Sequence, residues 1–513
     1  MRTTALWRIL AVILAILCLI PLAVACGSPA TPEDGSKETR DPGKEPGQTT
    51  ETAKPAETEE ETVWYEADKP DGLSLKNPDG SQREFNFLAF SADSSMYWHD
   101  TDFTSEGITG DVILDAVFER HKYVEEQNDI LLTIHHAGVN CEYNTLVNSV
   151  SAGDDDFQAA YLNTQGAFTV ATMEDLMELN DMGTIQLDAS WWDQNCLDDL
   201  SILGQNYALY GDIGVMYRKT LAVVSFNKKI LSDYLPNSED LYELQARKQW
   251  TIEKMTDMVT SVSDDLDGND VMDEADLYGL TYQGDVMPIA IISCGIRFVT
   301  KNEDGVPELS FNNERTLEAI DLLGMLLYDT DCARSSSAKA PNISNHGEMF
   351  HNGGSLFDAG EVHSVINNRS MEMDFGVLCM PLFDEEQENY YTCINPHVAA
   401  TLVVPNSIQD PVFVGYVLDC LAAAGKNYLD PAFYEKTLQG KSVRDEESRA
   451  TLDIVFHSIR YDLGYLSSWG ISEMMRAMVN NRSLDFSSRY RGEESQFQSR
   501  ITQTVRAFEA LLR

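Results

Sequence analysis

Short apolar segments alternate with helical patterns in the N-terminal half of this chain, and this alternation limits the possible folds most strongly. Residues 85–90, 130–134 and 158–162 are nearly all apolar and predict strands, and residues 111–127 and 141–151 predict the helices between them. Strands without a polar face are buried on both sides, and such strands form parallel sheets joined by right-handed helical crossovers. The pattern predicts an α/β fold with mostly parallel sheets flanked by helices.

A second unit of this kind begins with the apolar strand at Val223. Thr251 is a good helix N-cap residue, and Trp250 directly before it is predicted to lie in the core, where it can contact Met255 across the start of the helix. Further strands are predicted at residues 354–357, 375–380 and 399–404, and a helix is predicted from the spacing of Leu452, Val455, Phe456 and Ile459. Roughly 450 ordered residues exceed what one core usually supports, so two lobes are expected.

The loop after the helix that Thr251 begins has the spacing of a calcium-binding loop. Its oxygen ligands would occupy positions 1, 3, 5, 7, 9 and 12, the seventh through a backbone carbonyl, and they are Asp265, Asp267, Asn269, Val271, Asp273 and Asp276. Asp270 stands where the sharp turn of such a loop favours glycine, and aspartate at position 12 reaches less far than glutamate. The spacing predicts a structural Ca²⁺ ion; the alternative is an acidic surface turn.

The N-terminus has the pattern of a secretion signal. Arg2 and Arg8 precede an apolar run over residues 9–24. This run is shorter than the roughly 20 residues of a membrane span. Small residues then precede Cys26, as in a bacterial lipobox, so residues 1–25 are predicted to be removed and Cys26 to be lipid-modified. Ordinary cleavage that releases a secreted protein is the alternative. Residues 26–62 are rich in Pro, Thr, Glu and Lys, which predicts a disordered linker.

The charge and the cysteines exclude some classes of protein. With 37 basic and 83 acidic residues, the chain has a formal net charge of −46 at pH 7, which argues against nucleic-acid binding because phosphates would be repelled. Seven cysteines remain besides Cys18 and Cys26, and they are scattered and without a CxxC pair. Most are therefore expected to be buried thiols. Cys379 and Cys393 are the pair in which a disulfide would be sought first.

Catalytic patterns are weak in this sequence. Ser225 and Lys228 match SxxK, but the match continues an apolar strand and lacks the partner motifs of the hydrolases that use it. A His- and Glu-rich neighbourhood over residues 346–363 lacks HExxH spacing, which favours a solvated loop over a zinc site. No GxSxG or Walker motif occurs. A binding role without catalysis is predicted.

Several segments resemble a known family when they are taken in order along the chain. They are WWDQ at residues 191–194, FNKKIL after Val224, QWTIEKM before the acidic loop, DLYGL after it, DFGVLCMPLFDEEQENYYT at residues 374–392 and YDLGYLSSWG at residues 461–470. This order is similar to that in the extracellular solute-binding proteins of ABC importers, in the family 1 group that resembles maltodextrin-binding proteins. The resemblance covers most of the chain from about residue 85. It implies a two-lobed, periplasmic-binding-protein-like fold of type II, with a ligand cleft between the lobes.

The resemblance also implies how the two lobes divide the chain. After the leader and the linker, the expected segments are 63–215 in lobe 1, 216–350 in lobe 2, 351–425 returning to lobe 1, and 426–513 in lobe 2 with the C-terminal helices.

Candidate ligand contacts follow from the chemistry of sugars and from the positions of strand ends. Sugar rings stack on aromatic faces while planar polar side chains bind their hydroxyl groups, and open α/β sheets bind ligands beyond the carboxyl ends of strands. The residues that meet these conditions are Asp93, Ser94, Trp98, Asn163, Tyr210, Asp212, Gln283, Asp358 and Glu361, with Trp191, Trp192 and Trp469 as further aromatic platforms. For each single aromatic residue, ordinary core packing is the alternative.

These features together predict a lipid-anchored, monomeric solute-binding protein on the extracellular face of the cell membrane. A small polar solute, preferably a sugar or oligosaccharide, would bind in the cleft, close the lobes and be delivered to an ABC transporter permease. Two alternatives use the same fold. One is a surface-anchored glycan-acting enzyme with two working carboxylates, and the other is a sensory or adhesive receptor.

Overall fold

The computed structural model describes residues 63–95, 98–105, 107–328, 331–336, 345–436 and 445–512. The predicted leader, the lipid attachment at Cys26 and the linker to residue 62 therefore lie outside the described residues. Within the described ranges, no helix combines the length and the apolar character that a bilayer crossing requires.

The described residues contain eleven strands. They are β1 (Glu84–Ala89), β2 (Leu131–His136), β3 (Ala159–Asn163), β4 (Ala222–Asn227), β5 (Tyr278–Tyr282), β6 (Val299–Lys301), β7 (Pro307–Leu309), β8 (Ala333–Ser335), β9 (Ser355–Glu361), β10 (Phe375–Leu378) and β11 (Ala400–Val403).

Sixteen α-helices accompany these strands in the same part of the chain. They are α1 (Val112–Asn128), α2 (Glu142–Ala152), α3 (Thr164–Ala171), α4 (Gln194–Leu200), α5 (Lys228–Tyr234), α6 (Leu241–Ala246), α7 (Ile252–Thr260), α8 (Val286–Ser293), α9 (Glu314–Leu327), α10 (His346–His351), α11 (Val362–Asn367), α12 (Pro411–Tyr434), α13 (Glu446–His457), α14 (Leu463–Leu466), α15 (Ile471–Asn481) and α16 (Phe486–Leu511). Short 3-10 helices span Leu179–Met182, Met216–Thr220 and Asn368–Ser370.

The first lobe is built on a four-stranded sheet with the order β11-β3-β1-β2. Strands β1, β2 and β3 are parallel, as predicted, and β11 is antiparallel to β3 at the edge. The Phe87 ring stacks on the Phe103 ring with a centroid distance of 4.0 Å, and the Tyr161 ring meets Phe87 edge-on at 5.3 Å. These three buried rings join the sheet to the loop that follows β1.

The second lobe contains a five-stranded sheet with the order β10-β4-β9-β5-β8. The prediction that residues 354–357 and 375–380 return to the first lobe is wrong, because β9 and β10 both hydrogen-bond to β4 in the second sheet. Of the three returning strands that were expected, only β11 joins the first sheet. The apolar composition of a strand indicates that the strand is buried on both faces, but it does not identify the partner strand.

The predicted helix starts are confirmed. Asp111 caps α1 by accepting hydrogen bonds from the backbone N–H groups of Ile113 and Leu114, and the Thr251 hydroxyl caps α7 by accepting one from Lys254. Trp250 is fully buried, as predicted, and its indole N–H donates to the Cys379 carbonyl at 2.9 Å.

The cysteines agree with the expectation that most are buried, whereas one helix end differs from it. Four of the seven cysteines among the described residues are buried, and two of these four, Cys379 and Cys393, are free thiols. Helix α13 ends at His457, two residues before Ile459, which was predicted to belong to it. The described chain begins beside α12, where the Tyr65 backbone exchanges two hydrogen bonds with the Asn427 side chain.

Candidate functional site

Strand ends of the second sheet meet a loop of the first lobe at one place. Strands β5 and β9 are parallel and end there at Tyr282 and Glu361, and the antiparallel β4 begins there because Ala222 is paired with Glu361. From the first lobe, the loop after β1 brings Trp98 to the same place. The Trp98 ring lies 4.9 Å from the imidazole of His363, at the start of α11. This meeting point between the lobes is the candidate functional site.

The Glu361 carboxylate is the centre of the site on the second lobe. Its Oε1 atom accepts hydrogen bonds from Gln283 Nε2 at 3.2 Å and from Asn395 Nδ2 at 2.9 Å. Burial raises the pKa of Glu361 to about 7, although these two amides favour the ionised form. The carboxyl group can therefore either donate or accept a hydrogen bond near neutral pH.

A second polar group lies beside Glu361. The Asp285 carboxylate is ion-paired with Arg476 Nε of α15 at 3.0 Å, and Arg476 also lies 2.8 Å from His397 Nε2. The backbone N–H of His397 donates to Asn395 Oδ1 at 3.1 Å, so Asn395 connects this group to Glu361. Burial raises the pKa of Asp285, whereas the Arg476 charge opposes that rise.

The side of the site that faces the first lobe contains a lysine and histidines. Lys219 is the penultimate residue of the 3-10 helix Met216–Thr220, and its ammonium group donates to Thr101 Oγ1 at 2.6 Å. Burial, the Lys219 charge and His99 together lower the pKa of His363 to about 4, so His363 is neutral at pH 7. Burial also lowers the pKa of Lys219.

The structure brings four of the predicted ligand contacts to strand ends. Trp98, Gln283 and Glu361 belong to the meeting point described above. Asn163 ends β3 and caps α3, where its Oδ1 atom accepts a hydrogen bond from Gly166 N at 2.8 Å. Asp93 and Ser94 are exposed in the loop after β1, and the Asp93 carboxylate accepts from Ser95.

Trp191 and Trp192 do not form platforms for a ligand, so this prediction is wrong. Both rings are buried, and both indole N–H groups donate to Asp419 Oδ1 of α12, at 3.1 and 2.9 Å. Burial raises the pKa of Asp419 to about 6. The pair of tryptophans therefore anchors α12 to the crossover segment of the first lobe.

Three further predicted contacts are structural. Tyr210 is buried, bonds to Thr164 and stacks on Tyr461. Asp212 is ion-paired with both Arg218 and Lys426. The Asp358 carboxylate, inside β9, lies 2.7 Å from His346 Nδ1.

Trp469 lies apart from the Glu361 cluster, beside a cavity of about 410 Å³. The cavity is lined by α3 of the first lobe and by α16, including Thr169, Arg500 and Gln503. The Trp469 indole N–H donates to Thr504 Oγ1 at 2.9 Å, and the ring itself is buried.

Sequence reasoning missed Lys219, His363, Asp285, Asn395, His397 and Arg476. His363 belongs to the neighbourhood that was predicted to be a solvated loop, which is wrong: residues 346–351 form α10 and Glu361 ends a buried strand. The other residues come from four separate segments. No local pattern could have grouped them, because only the pairing of the strands brings them together.

The predicted calcium loop brings part of its ligand set together. Carboxylate oxygens of Asp265, Asp267 and Asp276 lie within 4.8 Å of one another. Asp270 has a φ of 61°, so it adopts the left-handed turn conformation that glycine usually provides at this position. Asn269 and Asp273 instead accept hydrogen bonds from Val271 N and Ala275 N. The potential metal-ligand atoms that converge are all carboxylate oxygens, which are the ligands that a hard cation such as Ca²⁺ prefers.

Comparison with known proteins rests on structure alone. No family model matches the sequence, and no curated protein matches it significantly. The ABC substrate-binding protein Lmo0181 from Listeria monocytogenes, solved with cycloalternan, matches with a TM-score of 0.54 and 14% identity over 81% of this chain and 98% of its own.

Two other solved structures give the same result. UgpB from Mycobacterium tuberculosis, solved with glycerophosphocholine, matches with a TM-score of 0.53 and 16% identity over 76% of this chain and 94% of its own. An ABC transporter solute-binding protein from Thermotoga lettingae, solved with α-D-tagatose, matches with a TM-score of 0.51 and 12% identity over 83% of this chain and 100% of its own.

These matches cover nearly the whole of each solved protein, so they define the class of fold. The chain has the two-lobed α/β fold of type II that the solute-binding proteins of ABC importers share. The fold that the sequence resemblance implied is confirmed.

Proposed function

We propose that this protein captures a small polar solute, a carbohydrate that its aromatic and amide groups recognise, and delivers it to the permease of an ABC importer. The observation that carries this proposal is that Gln283 and Asn395 donate to Glu361 at the end of β9, while Trp98 of the first lobe contacts His363 two residues further on. In open α/β folds this is the position at which ligands bind.

The chemistry of the site suits a ligand that is rich in hydroxyl groups. Gln283 and Asn395 are planar amides that both donate and accept hydrogen bonds, and Glu361, with a pKa of about 7, can do the same. Trp98 is half-buried and presents an aromatic ring on which the CH face of a sugar can stack. The solved proteins of the same fold include those with cycloalternan and α-D-tagatose bound, which supports the choice of ligand class.

The proposal extends to the location of the protein. The leader and Cys26 support a lipid anchor in the cell membrane, with the folded part as a monomer on the extracellular face. Binding would proceed without turnover of the solute. An oligosaccharide incubated with the protein would therefore keep its length in chromatography, and shortened products would support the glycan-acting enzyme instead.

A structural calcium ion is the second part of the proposal. Asp265, Asp267 and Asp276 would hold the ion through their carboxylates, between α7 and β5. A bound Ca²⁺ would offset the repulsion among these acidic groups and stabilise the loop.

A thermal-shift series would test the solute-binding role. Residues 27–513 would be heated with mono- and oligosaccharides, with short peptides and without ligand, since a ligand at 100 times its Kd stabilises a protein by about 2.7 kcal/mol. We expect a higher Tm with one class of sugar, a smaller shift for Trp98→Ala, and an unchanged shift for the control Trp64→Ala, whose ring packs against Tyr123 and Tyr428. A higher Tm with peptides alone would change the ligand class, and no shift with any ligand would contradict the proposed function.

A further inference from the structure

We propose that the solute carries an anionic substituent, a carboxylate or a phosphate on a sugar, and that Lys219 binds this group beside Trp98 and His363. The inference rests on the proposed function and specifies the chemical class of ligand for the same site. It is carried by the position and the incomplete bonding of one partly buried cation.

Lys219 is a cation whose donors are not all used. An ammonium group has three N–H donors, and the Lys219 group donates to Thr101 Oγ1 at 2.6 Å. No carboxylate oxygen of the described residues lies within 4.0 Å of its nitrogen. Two other partly buried lysines, Lys228 and Lys426, are each ion-paired with an aspartate. Lys219 is therefore available for an ion pair that none of the described residues provides.

The carboxylates closest to Lys219 are engaged elsewhere. Asp100 accepts hydrogen bonds from Asp102 N and Thr104 Oγ1 and lies 3.1 Å from His136 Nε2. Asp102 Oδ2 accepts from Met216 N at 3.0 Å. Asp111 is ion-paired with Lys436. The charges of all three still act on the Lys219 ammonium group, but none of the three forms an ion pair with it.

The groups around Lys219 on the cleft side favour an anion over a cation. His363 and His99 belong to the same surroundings, and His363 is a neutral imidazole that can donate one hydrogen bond at pH 7. On the second lobe, Asp285 is neutralised by Arg476, and the raised pKa of Glu361 leaves part of that group uncharged. An anion would thus meet the Lys219 charge beside His363, whose imidazole lies 4.9 Å from the Trp98 ring.

The acidic character of the whole chain opposes this binding only weakly. Most of the net charge of −46 resides on solvated groups, whose field is screened over about 8 Å at physiological ionic strength. A charge-assisted hydrogen bond at a partly buried cation is screened less. The local charge at Lys219 therefore decides the preference.

The alternative is that Lys219 serves only to balance the buried charge of Asp102. Asp102 Oδ1 is buried and has no hydrogen-bond partner among the described residues, so it would gain from a nearby cation. In that case, removal of the Lys219 charge would lower the stability of the free protein but would not change its preference between an acidic ligand and its neutral counterpart.

Calorimetric titration of residues 27–513 with matched pairs of ligands separates these possibilities. The pairs are a galacturonate trimer and its methyl ester, a glucuronate-containing disaccharide and its methyl ester, and glucose 6-phosphate and glucose. We expect at least one acid to bind about tenfold or more tightly than its neutral partner, because one charge-assisted bond is lost in the neutral form. The pair that shows the preference distinguishes a carboxylate from a phosphate.

Variants test whether Lys219 causes the preference. Lys219→Met should abolish the ratio between acid and neutral partner, Lys219→Arg should retain most of it, and the exposed control Lys229→Met should leave it unchanged. Melting of each variant would verify that it folds. Equal or tighter binding of the neutral partners, or a ratio that survives in Lys219→Met, would overturn this inference and leave the solute-binding role intact. No binding of any acidic or neutral sugar would overturn both proposals.

Discussion

Asn395 donates a hydrogen bond of 2.9 Å to Glu361 from the segment that connects the second sheet to the first. Glu361 thus receives one hydrogen bond from its own lobe, through Gln283, and one from a connection between the lobes. A ligand that bonds to Glu361 would compete with or reinforce the hydrogen bond from Asn395, which depends on the position of the connecting segment. The ligand site and the path of the chain between the lobes therefore share one carboxyl group.

The raised pKa of Glu361 predicts a specific dependence of stability on pH. Because the folded-state pKa is about 7 and the ordinary value is 4.5, the native state binds more protons between these values, and stability falls as pH rises through this window. The loss attributable to Glu361 is about 3 kcal/mol when it is complete. Glu361→Gln should remove this part of the dependence. Urea unfolding of the unsubstituted protein and of Glu361→Gln at pH 5 and pH 8 would measure this contribution. If the free energy of unfolding falls equally in both proteins between these pH values, the assignment to Glu361 is contradicted.

Trp98 and Trp192 should respond to substitution in opposite ways. Trp192→Ala removes a buried ring and leaves Asp419 with a missing donor, so the free energy of unfolding should fall by about 3–5 kcal/mol. Trp98→Ala should lower stability by less than about 1 kcal/mol. It should weaken sugar binding about tenfold, because the stacking surface is lost. Chemical unfolding measures the change in stability, and calorimetric titration measures the change in sugar binding. Weaker sugar binding by a well-folded Trp192→Ala protein, with unchanged binding by Trp98→Ala, would show that Trp192 is the ligand contact and Trp98 is not.

The proposed calcium ion predicts that a chelator lowers the Tm. Calcium at 100 times its Kd would stabilise the folded state by about 2.7 kcal/mol, and this contribution disappears when the ion is removed. Asp267→Ala should have the same low Tm with and without chelator. The control Asp304→Ala, in the exposed turn between β6 and β7, should respond to chelator as the unsubstituted protein does. An unchanged Tm on chelation, with no calcium in the purified protein, would exclude the ion.

Two glycines should respond to alanine with opposite signs. A Cβ atom at Gly279, in β5, would lie 2.1 Å from the Val259 carbonyl oxygen and 2.6 Å from its Cα atom, so the backbones of β5 and α7 would have to separate. Gly279→Ala should destabilise the protein by about 1–3 kcal/mol or more. At Gly492, in the exposed part of α16, nothing lies within 4 Å of the added atom, and Gly492→Ala should stabilise by about 0.5–1 kcal/mol. Urea unfolding measures both changes.

Local structure was predictable from the sequence where one interaction dominates over a few residues. Thr251 caps α7 as predicted, because its hydroxyl directly precedes an apolar helical pattern, and Trp250 packs in the core as predicted. The strands β1 to β3 were placed within one or two residues.

The candidate site was less predictable because its residues are distant in the sequence. Trp191 and Trp98 are both tryptophans near polar residues in the sequence. They differ because Trp191 donates to Asp419, a buried acceptor more than 200 residues away from it in the chain. Lys219 and Arg476 carry no local pattern at all, since their importance derives from the strand ends that surround them. Gln283 and Glu361 could be predicted because each directly follows or ends an apolar strand.

The late position of β11 affects the order in which the lobes can fold. The second sheet has all of its strands once residue 378 is available, whereas the first sheet waits for its edge strand at residues 400–403. Contacts between residues so far apart in sequence slow folding, because a long loop must close first. In a chain that leaves the ribosome or a translocon from its N-terminus, the lobe that begins earlier therefore completes its sheet later.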